Sequence, residues 1–318
     1  MMIHGRLGKR GTDPCKTEWE RRAVIAMEFR VLQYFLAAAR EESLSGAAEF
    51  LHLSQPTLSR QLKDLEEELG KQLFVRSNRG ISLTEEGVLL RKRAEEILLL
   101  MKKTEDEISL SEETVAGDVY IGAGESERNR HIVRAACCLQ REYPGIRYHI
   151  ASGNAVFVME QLDKGLIDFG LVYGAVDSLK YQSIPLPCPD SFGVLMRKDA
   201  ELAAQDTIAP RDLLDKPLII SSQEERDGWP ILRQIAPDVS KLKIAATYTL
   251  LFNGSLFVEE GMGYAICFDG LINTGGDSRL CFRPLRPVQH TTASLIWKKY
   301  QVLSKASQKF LEKLREIC

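Results

Sequence analysis

The chain has 318 residues, of which 44% are hydrophobic and 27% are charged, a balance typical of folded proteins with two or three domains. No stretch approaches the roughly 18 unbroken apolar residues that a membrane-spanning helix needs, so the sequence predicts no membrane partner. The formal net charge of −2 argues against a nucleic-acid binder that relies on bulk positive charge, but is compatible with a site-specific binder whose cations lie on one surface.

The seven cysteines are scattered along the chain and form no Cys-x-x-Cys pair and no metal-ligand spacing. We therefore expect neither a metal site nor a cofactor. Without a secretory signal, the thiols are expected to be reduced in a cytoplasmic protein, as small buried hydrophobic residues. A redox-sensing pair remains an alternative. The cysteines are Cys15, Cys137, Cys138, Cys188, Cys267, Cys281 and Cys318.

Residues 1–26 contain six basic and three acidic side chains and lack the apolar core of a secretory signal. We expect a disordered leader that arises from an upstream start or an added sequence. An arm that touches DNA through its basic residues is the alternative.

Residues 27–53 predict two short helices. Phe29, Leu32 and Phe35 fall at helical spacing and give the first helix an apolar face that ends near Glu41. The second helix is rich in alanine, which lets it pack closely against a neighbour.

A third helix is predicted from Ser54, a preferred N-cap residue, to Gly70, a typical C-terminal stop. Pro56 lies in its first turn, where a missing N–H costs little. At 100° per residue, four leucines form one narrow stripe, which we expect to be buried. These are Leu58, Leu62, Leu65 and Leu69.

The opposite face of this helix offers amide, hydroxyl and cationic donors from Gln55, Ser59, Arg60 and Lys63. A helix that reads base edges in a major groove needs such donors in its first turns. An ordinary amphipathic surface helix would show the same pattern. A predicted β-hairpin over 73–83 that carries basic residues near its tip favours a winged helix-turn-helix.

A long helix is predicted from Thr84, as N-cap, to about residue 113. Its apolar positions recur with 4,3,4,3,4 spacing, typical of a coiled-coil seam. Pairing with a second copy would present two recognition helices to the half-sites of a near-palindromic operator. A helix that lies on its own domain is the alternative. The seam is Leu90, Ala94, Ile97, Met101, Thr104 and Ile108.

From residue 117, strands alternate with helices, which predicts βαβ units and parallel sheets. The pattern restarts after residue 192, and a late strand and a final helix are expected to return to the first half. We predict two α/β lobes, one from about 117–187 with 292–318 and one from about 192–287.

In such sheets, ligands bind beyond the carboxyl ends of strands, near helix N-termini that favour anions. Four strand-to-helix junctions offer polar groups there, although each serine or asparagine also suits a simple helix cap. Because one candidate is Glu125, an ammonium-bearing ligand and a carboxylate both remain open. The candidates are Glu125, Ser126, Ser152, Asn154, Ser221, Ser222, Phe252 and Asn253.

Residues 27–87 closely resemble the DNA-binding domain of LysR-type transcriptional regulators, and the later strand pattern is similar to the family's periplasmic-binding-protein-like effector domain. The resemblance rests on Ala47-Ala48, the run from Ser54 to Gln61, the run from Leu65 to Gly70, and Leu83-Thr84-Glu85-Glu86-Gly87. It covers about nine-tenths of the chain.

The resemblance implies a multi-domain architecture: a winged helix-turn-helix at 27–84, a linker helix at 85–116 and an α/β effector domain at 117–318. It also implies a cytoplasmic regulator that binds double-stranded DNA and an unidentified small-molecule effector, dimerises through the linker and forms tetramers. Its DNA contacts would be Ser54, Gln55, Pro56, Thr57, Ser59, Arg60, Lys63, Arg76 and Arg79.

Two other classes of protein fit less well. A plain solute-binding module would explain only the C-terminal part of the chain. An enzyme is disfavoured because no Gly-rich phosphate loop, nucleophile elbow or zinc motif is present.

Overall fold

The computed structural model describes residues 27–77, 80–109, 115–226, 228 and 230–318. The predictions for the leader, for Arg79 and for the end of the linker helix at 110–114 therefore lie outside the described residues. The chain divides into two compact units between Lys102 and Lys103. Among the described residues, no helix is long and apolar enough to cross a membrane.

The described part of the first unit holds three short helices, a two-stranded antiparallel hairpin and most of a fourth, longer helix, as the sequence predicts. Phe35, Leu58 and Leu62 are completely buried in its core. The elements are α1 (Phe29–Glu41), α2 (Leu44–Phe50), α3 (Gln55–Leu69), β1 (Phe74–Ser77) and β2 (Gly80–Leu83).

The ends of α3 follow from local chemistry. The Ser54 hydroxyl accepts a hydrogen bond from the Thr57 N–H at 3.3 Å, and Gly70 ends the helix in the left-handed conformation at φ 63°. At the hairpin, Gly80 has φ 137° and a side chain there would lie 2.5 Å from the Glu42 carbonyl oxygen. Glycine is therefore required where the wing meets the end of α1.

Helix α4 (Glu85–Ser109) begins after Thr84, whose hydroxyl accepts from the Gly87 N–H at 3.0 Å. Ala94 is fully buried in the core of the first unit, and Leu90 and Ile97 pack partly against the same core. The first half of the predicted seam therefore packs on its own domain, and the prediction of a continuous intermolecular seam is wrong there. Ile108, at the other end, is 79% exposed.

The first lobe of the second unit is a five-stranded sheet in the order β4-β3-β5-β13-β6 with three helices. Strand β3 runs parallel to β4 and β5, whereas β13 is antiparallel to both of its neighbours. The elements are β3 (Gly117–Ala123), α5 (Asn129–Glu142), β4 (Ile146–Ser152), α6 (Ala155–Asp163), β5 (Phe169–Tyr173), β6 (Tyr181–Pro185), β13 (Ala293–Lys298) and α10 (Lys305–Ile317).

The second lobe has the strand order β11-β7-β10-β8-β9, with β8 parallel to β9 and β10, and three short 3-10 turns at 201–204, 210–213 and 239–241. Its elements are β7 (Asp190–Arg197), β8 (Pro217–Ser221), α7 (Ser222–Arg226), α8 (Leu232–Ile235), β9 (Lys243–Tyr248), α9 (Leu251–Glu259), β10 (Tyr264–Phe268) and β11 (Leu280–Pro284).

The two segments that cross between the lobes pair with each other. The short strand β12 (His290–Thr291) lies antiparallel to the start of β7, with Thr291 opposite Asp190 and His290 opposite Ser191. The sequence places crossovers at these segments, but it does not predict their pairing or the edge strand β6. Glu125, which was expected at a strand-to-helix junction, lies four residues before α5, which begins at Asn129. The predicted fold class is confirmed.

Candidate DNA-binding surface and effector cavity

The first turn of α3 presents a polar edge to solvent. Gln55, Pro56 and Thr57 are exposed, and the Ser54 and Thr57 hydroxyls lie 2.7 Å apart. One turn further along, the helix is anchored by Leu58, which is completely buried. Because the helix is packed rigidly, its exposed hydrogen-bonding groups are held in fixed positions before any ligand binds. A surface that recognises a ligand by hydrogen bonds requires this.

Two cations extend the polar edge along α3. The Arg60 side chain is 83% exposed and lies 3.9 Å from the Asp64 carboxylate, and Lys63 is 69% exposed and lies 3.3 Å from Glu67. Such exposed pairs within one helix contribute little, so both cations are available for phosphate or base contacts. Asp64 and Glu67 lie one turn further along and leave the front of the helix free of acids.

The wing is fixed to α3 by Glu66. One oxygen of its carboxylate accepts from the Leu73 N–H at 2.7 Å and the Phe74 N–H at 3.1 Å. The other lies 3.7 Å from the Arg76 guanidinium, which also donates to the Ser59 hydroxyl at 3.4 Å. Ser59 is half-buried and thus supports Arg76. The role of Glu66 was not predicted from the sequence, since an acid on a helix usually indicates only a solvated face.

A cavity of about 520 Å³ lies between the two lobes of the second unit. Of the eight candidate effector residues, Glu125, Asn154 and Ser221 line it. The other five lie outside the lining: Ser126 is buried, Ser222 is half-buried, and Ser152, Phe252 and Asn253 are exposed.

Several further side chains of the lining were not among those candidates, and they come from strand ends, crossovers and two short helices. The carboxyl ends of the strands and the crossover at 287–291 did carry a signal, since a segment between two lobes must border the space between them. These residues include Tyr173, Phe192, Gln223, Glu224, Gln234, Tyr248, Thr249, Cys267, Phe268, Gln289, His290 and Thr291.

Ser126 serves the crossover rather than the cavity. Its hydroxyl donates to the Asp190 carboxylate at 2.8 Å, and the Tyr173 hydroxyl donates to the same oxygen at 2.6 Å. The Arg128 guanidinium lies 3.4 Å from the other oxygen, and the Asp190 side chain is only 2% exposed. Burial, reinforced by the hydrogen bond to Asp190, raises the pKa of Tyr173. The network fixes the first lobe to the beginning of β7.

The six described cysteines are free thiols, and of these Cys267 and Cys281 are buried. The expectation of small buried hydrophobic residues is therefore wrong for the other four, which are exposed: Cys137, Cys138, Cys188 and Cys318. Cys267 lines the cavity and is 3% exposed, and burial raises the pKa of its thiol. Burial also raises the pKa of Cys281 and of Cys318. Because the thiolate is the reactive form, these three residues are poorly suited to redox sensing. In the described part of the chain, no group of three or more His, Cys, Asp or Glu is arranged to hold a metal ion.

Comparisons with known proteins agree with this geometry. Residues 29–88 match the model for the bacterial regulatory helix-turn-helix proteins of the lysR family, and residues 112–318 match the LysR substrate binding domain. The chain is 27% identical over 310 residues to the HTH-type transcriptional regulator BsdA of Bacillus subtilis, covering 90% of this chain and 99% of that protein. It is 28% identical over 194 residues to the hydrogen peroxide-inducible genes activator of Pectobacterium carotovorum, or 61% of this chain and 64% of that protein.

Solved structures share the fold. Full-length CbnR bound to its target DNA aligns with a TM-score of 0.70 at 20% identity, over 92% of this chain and all of that chain. Full-length OxyR C199D from Pseudomonas aeruginosa aligns with a TM-score of 0.54 at 23% identity, over 92% of this chain and 94% of that chain. Since the second family model alone spans well over half of the chain, the protein belongs to the LysR-type family of DNA-binding transcriptional regulators with an effector-binding domain.

Proposed function

We propose that the exposed front of α3 and the wing bind a near-palindromic operator in double-stranded DNA. Gln55 contacts a base edge, Arg60 and Lys63 contact guanine or phosphate, and Arg76 contacts the backbone from the wing. The single observation that carries this proposal is the exposed edge of α3 on a helix whose opposite face is anchored by the buried Leu58, Leu62 and Leu65. Exposed cations at that edge, held only by weak ion pairs within the helix, suit major-groove recognition.

Footprinting on the DNA upstream of the gene tests the assignment. Arg60→Ala should weaken specific binding by about 1–3 kcal/mol if Arg60 contacts a base. Arg93→Ala removes the same charge from α4, where Arg93 pairs with Glu96 at 2.7 Å, and should leave the footprint unchanged. An Arg60→Ala protein with the wild-type footprint and affinity would remove Arg60 from the contact surface. A log-log plot of affinity against salt should have a finite negative slope.

The cavity between the lobes is the proposed effector site. Its volume lies within the range of small-molecule sites, and Asn154, Ser221 and Glu125 provide polar groups among largely apolar walls. A ligand that binds there should raise the thermal stability of the protein and change its operator footprint. Failure of a broad metabolite collection to stabilise the protein would count against an effector function.

Self-association is proposed through α4, with two dimers forming a tetramer. Large apolar side chains remain exposed on this helix, including Leu89 at 59% and Ile108 at 79%. Leu89→Lys with Ile108→Lys should lower the mass measured by sedimentation. Glu105→Lys, at an exposed polar position of the same helix, should not. An unchanged mass in the double variant would refute the assignment of the interface to α4.

The DNA-binding surface, the effector cavity and the α4 interface together serve regulation of transcription. They do not point to catalysis or solute transport. The matched relatives with assigned functions are transcriptional regulators, and binding to chromosomal DNA requires a cytoplasmic location.

A further inference from the structure

The chemical character of the cavity limits what it can bind. Its described lining contains the carboxylates of Glu125 and Glu224 but no lysine or arginine. The undescribed positions 227 and 229 hold an aspartate and a tryptophan, so they add no cation either. A concave site with acidic groups and low-dielectric walls concentrates cations and repels anions.

The helix N-termini that would normally attract an anion already have acceptors from the chain itself. Glu125 accepts a hydrogen bond from the Leu251 N–H at the start of α9. Asn154 caps α6 through the Phe157 N–H at 3.0 Å. Glu224 likewise accepts hydrogen bonds from two backbone N–H groups, one just before α8 and one from its first residue. A carboxylate ligand would therefore meet a carboxylate at α9, where the helix dipole is already compensated.

The remaining features of the cavity suit a positive group. Among the described residues, Glu125 accepts from the Leu251 N–H and forms no ion pair with a lysine, arginine or histidine side chain. Three aromatic rings form a continuous wall, with ring centres 4.9 Å apart for Tyr173 and Phe268 and 4.5 Å apart for Phe192 and Phe268. All three line the cavity, and aromatic faces attract ammonium groups.

We propose that the effector of this protein carries an ammonium group that pairs with Glu125, and an apolar or aromatic body that packs on the Tyr173, Phe192 and Phe268 wall. This inference rests on the proposed effector function of the cavity. It resolves the choice between ammonium and carboxylate that the sequence alone leaves open.

The test uses the full-length protein and compounds matched in shape but not in charge. The first series is 2-phenylethylamine, 2-phenylethanol and 3-phenylpropionate, followed by a panel of other amine and carboxylate pairs, with affinities measured by calorimetry. Amines should bind at least about 10-fold more tightly than the matched carboxylates. Glu125→Gln keeps an acceptor for the Leu251 N–H but removes the charge, and should remove most of that preference.

Glu127→Gln is the matched control. Glu127 lies two residues away, pairs with Arg130 and does not line the cavity, so this variant should retain the preference for amines. Tighter binding of carboxylates by the wild type, or an amine affinity unchanged in Glu125→Gln, would overturn the ammonium inference and leave the effector function standing. If no compound of either charge binds, the effector function of the cavity is itself contradicted and the inference fails with it.

Discussion

Lys103, near the end of α4, forms a buried ion pair in the second unit. Its ammonium group lies 2.7 Å from Asp168 and 3.2 Å from the Gly165 carbonyl oxygen. Asp168 also accepts from the Tyr120 N–H at 2.8 Å and from the Ser307 hydroxyl at 3.3 Å. The side chains of the pair are only 11% and 6% exposed. The pair thus joins the last turns of α4 to a sheet strand and to α10.

Lys103→Met should destabilise the second unit by about 3–5 kcal/mol, because it leaves the Asp168 carboxylate buried without its cation. Methionine preserves most of the side-chain volume, so little of this loss should come from packing. The double variant Lys103→Met with Asp168→Asn should be less destabilised than Lys103→Met alone, since no unpaired charge remains and asparagine still accepts one hydrogen bond.

Urea denaturation of the full-length protein measures these differences. Trp297 packs against Phe169 in the core of the same lobe, with ring centres 6.3 Å apart. Replacing Trp19 and Trp229 by phenylalanine leaves Trp297 as the sole tryptophan, whose fluorescence follows this lobe. Lys309→Met removes an exposed cation paired with Glu312 and should leave the midpoint close to the wild-type value.

Two outcomes would refute the reasoning about this pair. A loss below about 1 kcal/mol for Lys103→Met would mean that Lys103 behaves as a surface cation. A double variant whose loss equals the sum of the single losses would mean that the two charges do not interact.

Glu66→Gln should weaken operator binding more than it lowers stability, because it loosens the attachment of the wing to α3. The measurement is hydrogen exchange of the Phe74 amide, which should become faster, and unchanged exchange would contradict this role. Leu62→Ala removes a fully buried side chain of α3 and should cost about 2–5 kcal/mol in urea unfolding of the first unit, so a smaller loss would mean that the site repacks. Burial acts to raise the pKa of Asp118, but hydrogen bonds and charge from Arg147 and His149 lower it overall. The stability that this carboxylate adds is present above its unfolded pKa of about 4 and is lost as pH falls through its folded value. Asp118→Asn should therefore be less stable than the wild type near neutral pH, with a difference that shrinks in acid; a difference independent of pH would refute this assignment.

Features set by neighbouring residues were predictable from the sequence. Ser54 and Gly70 bound α3 because a hydroxyl cap and a left-handed glycine act within one helical turn. The fully buried side chains of Leu58 and Leu62 follow from helical periodicity in the same way. Much of the DNA-binding fold depends on such local rules, but the attachment of the wing through Glu66 does not, and it was not predicted.

Helix α4 shows why periodicity can mislead. A spacing of four and three residues indicates that one face of the helix is apolar, but does not indicate what covers that face. Ala94 is covered by the core of the first unit, whereas Ile108 is exposed on the same helix. A single apolar stripe can thus be buried at one end of a helix and exposed at the other. Only tertiary contacts show where burial ends.

The cavity was the least predictable part, because its walls come from segments far apart in the chain. Glu125 contacts the backbone of Leu251, which lies 126 positions later in the sequence. The two crossovers, where Asp190 pairs with Thr291, are also far apart in the sequence. The sequence could indicate that polar groups gather at strand ends, but not which of them would cap the chain's own helices. That difference carries the proposed chemistry of the site: Asn154 and Glu125 occupy the helix N-termini, and the described lining keeps acidic and aromatic groups, from which we expect a preference for cations over anions.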